Sequence, residues 1–140
     1  MVTRELICQF IARQKLGVVS TVSPDNKPEA ALVGIAVSEN LEIIFDTVKA
    51  SRKYQNILRS PNVALVIGWD EEITVQYEGM AEVLGNDNEA NRFKEIYYQA
   101  YPDGRERAAT WPGLVHVRIT PKWIRYSNFN EPLLIGELTF

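Results

Sequence analysis

A chain of 140 residues, 46% of them apolar, is long enough to bury one sizeable core and too short for two ordinary domains, so one domain over residues 1–140 is expected. The formal charge of −3 is mixed along the sequence without long runs, which argues against a nucleic-acid binder and against a basic membrane-surface helix. No apolar stretch reaches membrane-spanning length, the N-terminus lacks the basic-then-apolar pattern of a signal peptide, and Cys8 has no second cysteine to pair with; a cytoplasmic protein with no membrane partner is expected.

Thr3 opens a segment in which Leu6, Ile7, Phe10 and Ile11 recur at helical spacing, so the pattern predicts an amphipathic helix over 3–14, with Cys8 as packing and Gly17 beyond its end. Gly17 to Val22 and Ala30 to Val37 read as the strands of a hairpin around the turn residues Pro24, Asp25 and Asn26. A connection at Ser38 to Asn40 leads into a strand from Leu41 to Thr47, and Ser51 to Arg59 reads as a helix anchored by Tyr54, Ile57 and Leu58. Val63 to Trp69 is a strand, Asp70 to Glu72 an acidic turn, and Ile73 to Leu84 a long strand with alternating faces. A helix from Asn86 to Tyr101 is broken by Pro102, Asp103 and Gly104, after which Val115 to Ile119 and Trp123 to Tyr126 look like closing strands.

The segment Phe45 to Pro61, FDTVKASRKYQNILRSP, has the chemistry of a phosphate site. A helix N-terminus offers unpaired backbone N–H groups and a partial positive charge, which together favour an anion. Arg52 adds a planar fork of donors, Lys53 a mobile point charge, and Thr47 and Ser51 hydroxyls, with Ser51 doubling as N-cap. The competing reading is a capped surface helix with solvated basic residues.

Short strands, tight turns and few helices imply an antiparallel sheet closed into a small barrel with a filled interior. Any large planar ligand then lies on the outer wall or at a seam between subunits, and burying both faces of such a ligand calls for a homodimer. His116, the sole histidine, lies between Val115 and Val117 and is expected to face solvent or a partner subunit; one histidine and one cysteine make no metal site. Tyr97, Tyr98 and Tyr101 either wall a ligand pocket or pack a helix on the barrel.

From Pro28 to Leu84 the chain resembles the pyridoxamine 5'-phosphate oxidase-like flavoproteins, the FMN-binding split β-barrels, without a gap from Pro28 through the SRK of Ser51 to Lys53. The family pattern is an extended strand, a strand ending in threonine (here FDT), the SRK turn, a helix, an S-P step at Ser60 and Pro61, and the strand Val63 to Trp69. The resemblance implies a mainly β (α+β) fold, an antiparallel split β-barrel with a few flanking helices, that takes FMN as cofactor. It implies that the strand Ala31, Leu32, Val33 through Ala36 lays its backbone along the flavin, that Asp46 and Thr47 lie near the ribityl-phosphate, and that Arg52 with Lys53 grips the phosphate, beside the Ser51 hydroxyl read from the residues themselves. In a homodimer the partner's share would come from the strands after the SRK helix, with Trp69 and Thr74 as candidates and Gln76 next in line.

Two departures from the oxidase matter. Its phosphate-binding arginine is replaced by Ala31 and its substrate-sharing lysine by Ala36, and the tail from Asn128 to Phe140 holds no arginine or histidine to hold pyridoxal phosphate. Three functions stay open: an FMN-dependent oxidoreductase of unknown substrate, a non-catalytic flavin binding or storage protein, and a deazaflavin- or haem-binding relative, haem being disfavoured by the single imidazole.

Overall fold

A computed structural model describes residues 1–140. Helix α1 (Arg4–Arg13) starts where Thr3 Oγ1 accepts the Leu6 N–H at 3.1 Å, and it buries Ile7, Phe10 and Ile11. The strands are β1 (Leu16–Val22), β2 (Pro28–Gly34), β3 (Ala36–Val37), β4 (Ile43–Val48), β5 (Asn62–Ile67), β6 (Ile73–Val83), β7 (Leu114–Asn128) and β8 (Leu134–Thr139). Helix α2 (Arg52–Arg59) joins β4 to β5, and α3 (Asn88–Ala100) and α4 (Gly104–Thr110) join β6 to β7.

All pairings are antiparallel, in the order β2-β1-β5-β6-β7-β4-β3, with β8 added on β7. The sheet starts at β2 and ends at β3, which are two halves of one extended segment bent at Ile35. It therefore curls until its ends meet at that bend. The fold is the expected split barrel of eight strands with flanking helices, and the full hydrogen-bonded closure that short strands suggested is replaced by this break. The break turns the expected strand 30–37 into two: Ile35 donates its N–H to Lys15 O at 3.1 Å instead of continuing the ladder.

The barrel interior is one apolar cluster. Val19, Phe45, Leu65, Ile67, Val75, Val117, Ile119 and Ile124 fill it, and α1 closes one end, with Phe10 edge-on to Tyr126 at 5.8 Å. Each such side chain contributes roughly 1.5–3 kcal/mol when fully buried. A second, smaller cluster of Ala36, Ile44, Phe93 and Tyr97 fastens α3 to the outer face of β4. Tyr97 stacks on Tyr101 at 5.0 Å within it, so these two tyrosines pack a helix on the barrel.

Several boundaries differ from the sequence pattern for identifiable reasons. The strand expected from Leu41 starts at Ile43, because Leu41 adopts φ 67° and is fully buried, its carbonyl accepting from the Tyr77 hydroxyl at 2.6 Å. The two expected closing strands are one, β7, running through Pro121. A shift of register between Glu78 and Gly79 accommodates the missing N–H there, and a Cβ on Gly79 would meet Thr120 O at 2.4 Å. The Pro102-Asp103-Gly104 break leads directly into α4, and β8, which the tail sequence did not announce, pairs along β7 from Trp123↔Thr139 to Asn128↔Leu134.

Candidate functional site

The turn from β4 into α2 organises the site. Thr47 Oγ1 donates to Ser51 Oγ at 3.0 Å, and Ser51 Oγ accepts the Tyr54 N–H at 3.3 Å as the N-cap of α2. The first-turn N–H groups of Arg52 and Lys53 have no intrahelical partner and point out of the helix end. Lys53 is half-buried, and its ammonium is held below the ordinary lysine value by burial first and by the neighbouring Arg52 second. Two cations crowded at a helix N-terminus, one of them partly desolvated, make a cradle that an anion relieves.

The opposite wall is β2. Glu29, Ala31 and Val33 share the face turned toward the barrel and α2, while Leu32 points outward and is 59% exposed. A cavity of about 70 Å³ lies between the two walls, lined by Val19, Thr21, Glu29, Ala30, Ala31, Arg52 and Lys53. The expected anchors of α2 are corrected in one respect: Ile57 is buried but Leu58 is exposed, and the second buried position is Asn56. Asn56 Nδ2 donates to Thr21 Oγ1 at 3.0 Å and to Glu29 Oε1 at 2.8 Å, and Arg52 Nη1 donates to Glu29 Oε2 at 3.1 Å.

Of the residues singled out from sequence, the structure thus brings Ala31, Thr47, Ser51, Arg52 and Lys53 to one corner, with the backbone of Ala31, Leu32 and Val33 running along it. The side chain of Asp46 lies on the other face of β4. There Arg107 Nη2 of α4 donates to its Oδ2 at 3.2 Å and to the Tyr97 hydroxyl at 3.3 Å. Trp69, 58% exposed, follows β5, and Thr74 stands near the start of β6; both are at the far end of the β5–β6 hairpin from α2.

Sequence reasoning missed Glu29, Asn56 and Thr21. Period two from Ala31 would have found Glu29, whereas a polar residue among the apolar anchors of α2 gave no sign of being buried. His116 is a further correction: it is buried at 4% exposure between β7 and α3, with the rings of Tyr97 and Tyr98 edge-on at 5.7 and 5.4 Å. Burial pushes its imidazole below the ordinary histidine value, against the opposing pull of Asp46 opposite it in the ladder.

The family model described as pyridoxamine 5'-phosphate oxidase matches residues 3–128. A pyridoxine/pyridoxamine 5'-phosphate oxidase of Gloeothece citriformis is 30% identical over 94 residues, which make up 66% of this chain and 41% of that protein, so the match spans less than half the relative's length. Among solved structures, a haem-binding protein from Mycobacterium smegmatis superposes with a TM-score of 0.83 over 99% of this chain and 59% of its own, at 13% identity. A pyridoxamine 5'-phosphate oxidase-related, FMN-binding protein from Nostoc punctiforme gives 0.67 over 90% and 86%, at 12% identity. At these identities the two structures show the fold alone.

Proposed function

Because the chain belongs to the pyridoxamine 5'-phosphate oxidase family, we propose that it is a cytoplasmic flavoprotein binding FMN, and that it serves as an FMN-dependent oxidoreductase. The observation that carries this reading is the cradle at α2: a helix N-terminus capped by Ser51, whose hydroxyl also takes the Thr47 O–H, and two adjacent cations facing a cavity across from β2. The N–H groups of Arg52 and Lys53, the hydroxyls of Thr47 and Ser51, and the two cationic side chains would hold the phosphate. Ala31, Leu32 and Val33 would offer backbone to the ribityl chain and ring. Bound there, FMN supplies hydride or electron transfer, and the chain's own task is to position it and exclude water.

The flavin would sit at the seam of a homodimer. The outer face of β1, β5 and β6 supports this: Val18, Ala64, Val66 and Gln76 line a groove of about 160 Å³ closed by Trp123, with Val66 44% exposed. A second copy seated on that face would bring its own Trp69 and Thr74 toward the ring, residues that do not line the cavity beside the cradle of their own chain. No helix of the fold is long and apolar enough to cross a membrane.

Oxidation of a vitamin phosphate is not part of the reading. Ala36, which replaces the oxidase's lysine, is buried against Phe93 and Tyr97 instead of offering a cation, and β8 with its flanks carries no arginine or histidine. A histidine-ligated haem is disfavoured because the chain has a single imidazole, His116, and it is 4% exposed beneath α3, away from the α2 cradle. The test is the visible spectrum of freshly purified protein with the extracted cofactor identified by mass: a flavin spectrum and the mass of FMN are expected, and a haem or deazaflavin would displace this reading.

A further inference from the structure

The cradle contains a carboxylate of its own. Glu29 stands on β2 two residues before Ala31, so both are on the face turned to α2. Its two oxygens are held separately, Oε1 by Asn56 at 2.8 Å and Oε2 by Arg52 at 3.1 Å. Asn56 is itself 3% exposed and fixed by Thr21, so the carboxylate is located from a buried base and not left to swing on the surface. The same cavity wall carries Arg52 and Lys53. Two cations and one anion therefore leave a single net positive charge where a phosphate would sit, and one donor of the Arg52 fork is already engaged.

We propose, on the reading that this cradle takes a flavin phosphate, that Glu29 sets the charge selectivity of the site: it weakens the grip on a doubly charged terminal phosphate about twice as strongly, in free energy, as on a singly charged phosphate diester. Coulomb repulsion from a fixed carboxylate a few ångströms away scales with ligand charge, so the dianion is penalised about twice as much as the monoanion. A dianion also competes with Glu29 for the Arg52 guanidinium. If Glu29 served only to position Arg52 and Asn56, removing its charge would affect every phosphate alike, or weaken all of them.

The experiment titrates the full chain, as wild type, Glu29→Gln and Glu29→Ala, with FMN, with the monomethyl ester of FMN at its phosphate, and with riboflavin, after thermal melts confirm folding. Glutamine keeps the shape and one of the two acceptors, and alanine covers the case in which the amide nitrogen settles badly against the Asn56 or Arg52 donors. Both variants should tighten FMN by about tenfold, tighten the methyl ester by only about threefold, and leave riboflavin unchanged. Phosphate-dependent binding that neither variant tightens, or equal tightening of FMN and its ester, overturns the proposal alone. FMN and riboflavin binding alike in all three proteins overturns the phosphate reading, and this inference with it.

Discussion

Replacing Arg52 and Lys53 together by alanine should separate binding from stability. The two side chains differ in what they have left to give. Arg52 is exposed and spends one donor on Glu29, so its bond to phosphate belongs at the lower end of the charge-assisted range, about 1.5 kcal/mol. Lys53 makes no ion pair and is already partly desolvated, so its gain belongs near the upper end, about 3 kcal/mol. The double variant should therefore lose about 3–4.5 kcal/mol of FMN affinity, on the order of 100- to 1,000-fold. Stability should change little. The Arg52 end of the Arg52–Glu29 pair lies in solvent, so the pair contributes about 0–1 kcal/mol, Asn56 continues to hold the half-buried Glu29, and alanine is a strong helix former in the first turn. Quenching of flavin fluorescence gives the affinity, and a circular dichroism melt should show a midpoint within about 5 °C of wild type. A variant that melts far earlier yet binds FMN with wild-type affinity would make these residues structural and refute the reasoning.

Three further outcomes follow from the same geometry. Val66→Glu places a charge in the middle of the β1–β5–β6 outer face and should convert a dimer to a monomer with weaker FMN binding; an unchanged mass by light scattering would remove that face from the seam. Burial holds the His116 imidazole below its ordinary value of 6.5, so below that pH the unfolded chain takes up a proton that the folded chain resists. Stability should accordingly fall as pH drops below about 6.5, and His116→Gln should flatten that part of the profile in urea titrations; identical slopes would contradict it. Tyr77→Phe removes a buried hydroxyl that donates to Leu41 O and Ile119 O, and should cost about 1–3 kcal/mol in chemical denaturation, whereas an unchanged midpoint would show that those carbonyls find other partners.

The helix α2 and the strands around it were legible because the signals there are local: a serine cap, basic residues in the first turn, a β-branched strand before and an S-P step after. The alternation of β6 was equally plain. What stayed hidden depends on partners distant in sequence. Strand β7 crosses Pro121 because Gly79, more than forty positions earlier, lets the backbones approach, and nothing within Leu114–Asn128 announces it. Strand β8 exists because β7 offers it an edge. Asn56 is buried because Thr21 and Glu29 both face it across β1 and β2, so a polar residue at that point of the helix read as surface. His116 sits in an apolar strand whose outer face happens to be covered by α3, and strand periodicity alone does not say which covering layer a sheet receives. In the site, the same limit applied: the phosphate-gripping side was visible in one run of residues, and the carboxylate facing it was not, since it comes from another strand.

The central claim is that the site addresses a phosphate before it addresses a ring. Parallel titrations of the wild-type protein with FMN and with riboflavin, which differ by that phosphate alone, test it most directly. FMN should bind at least about 100-fold more tightly, the equivalent of about 3 kcal/mol or more from the cradle, and equal affinities for the two would contradict the account.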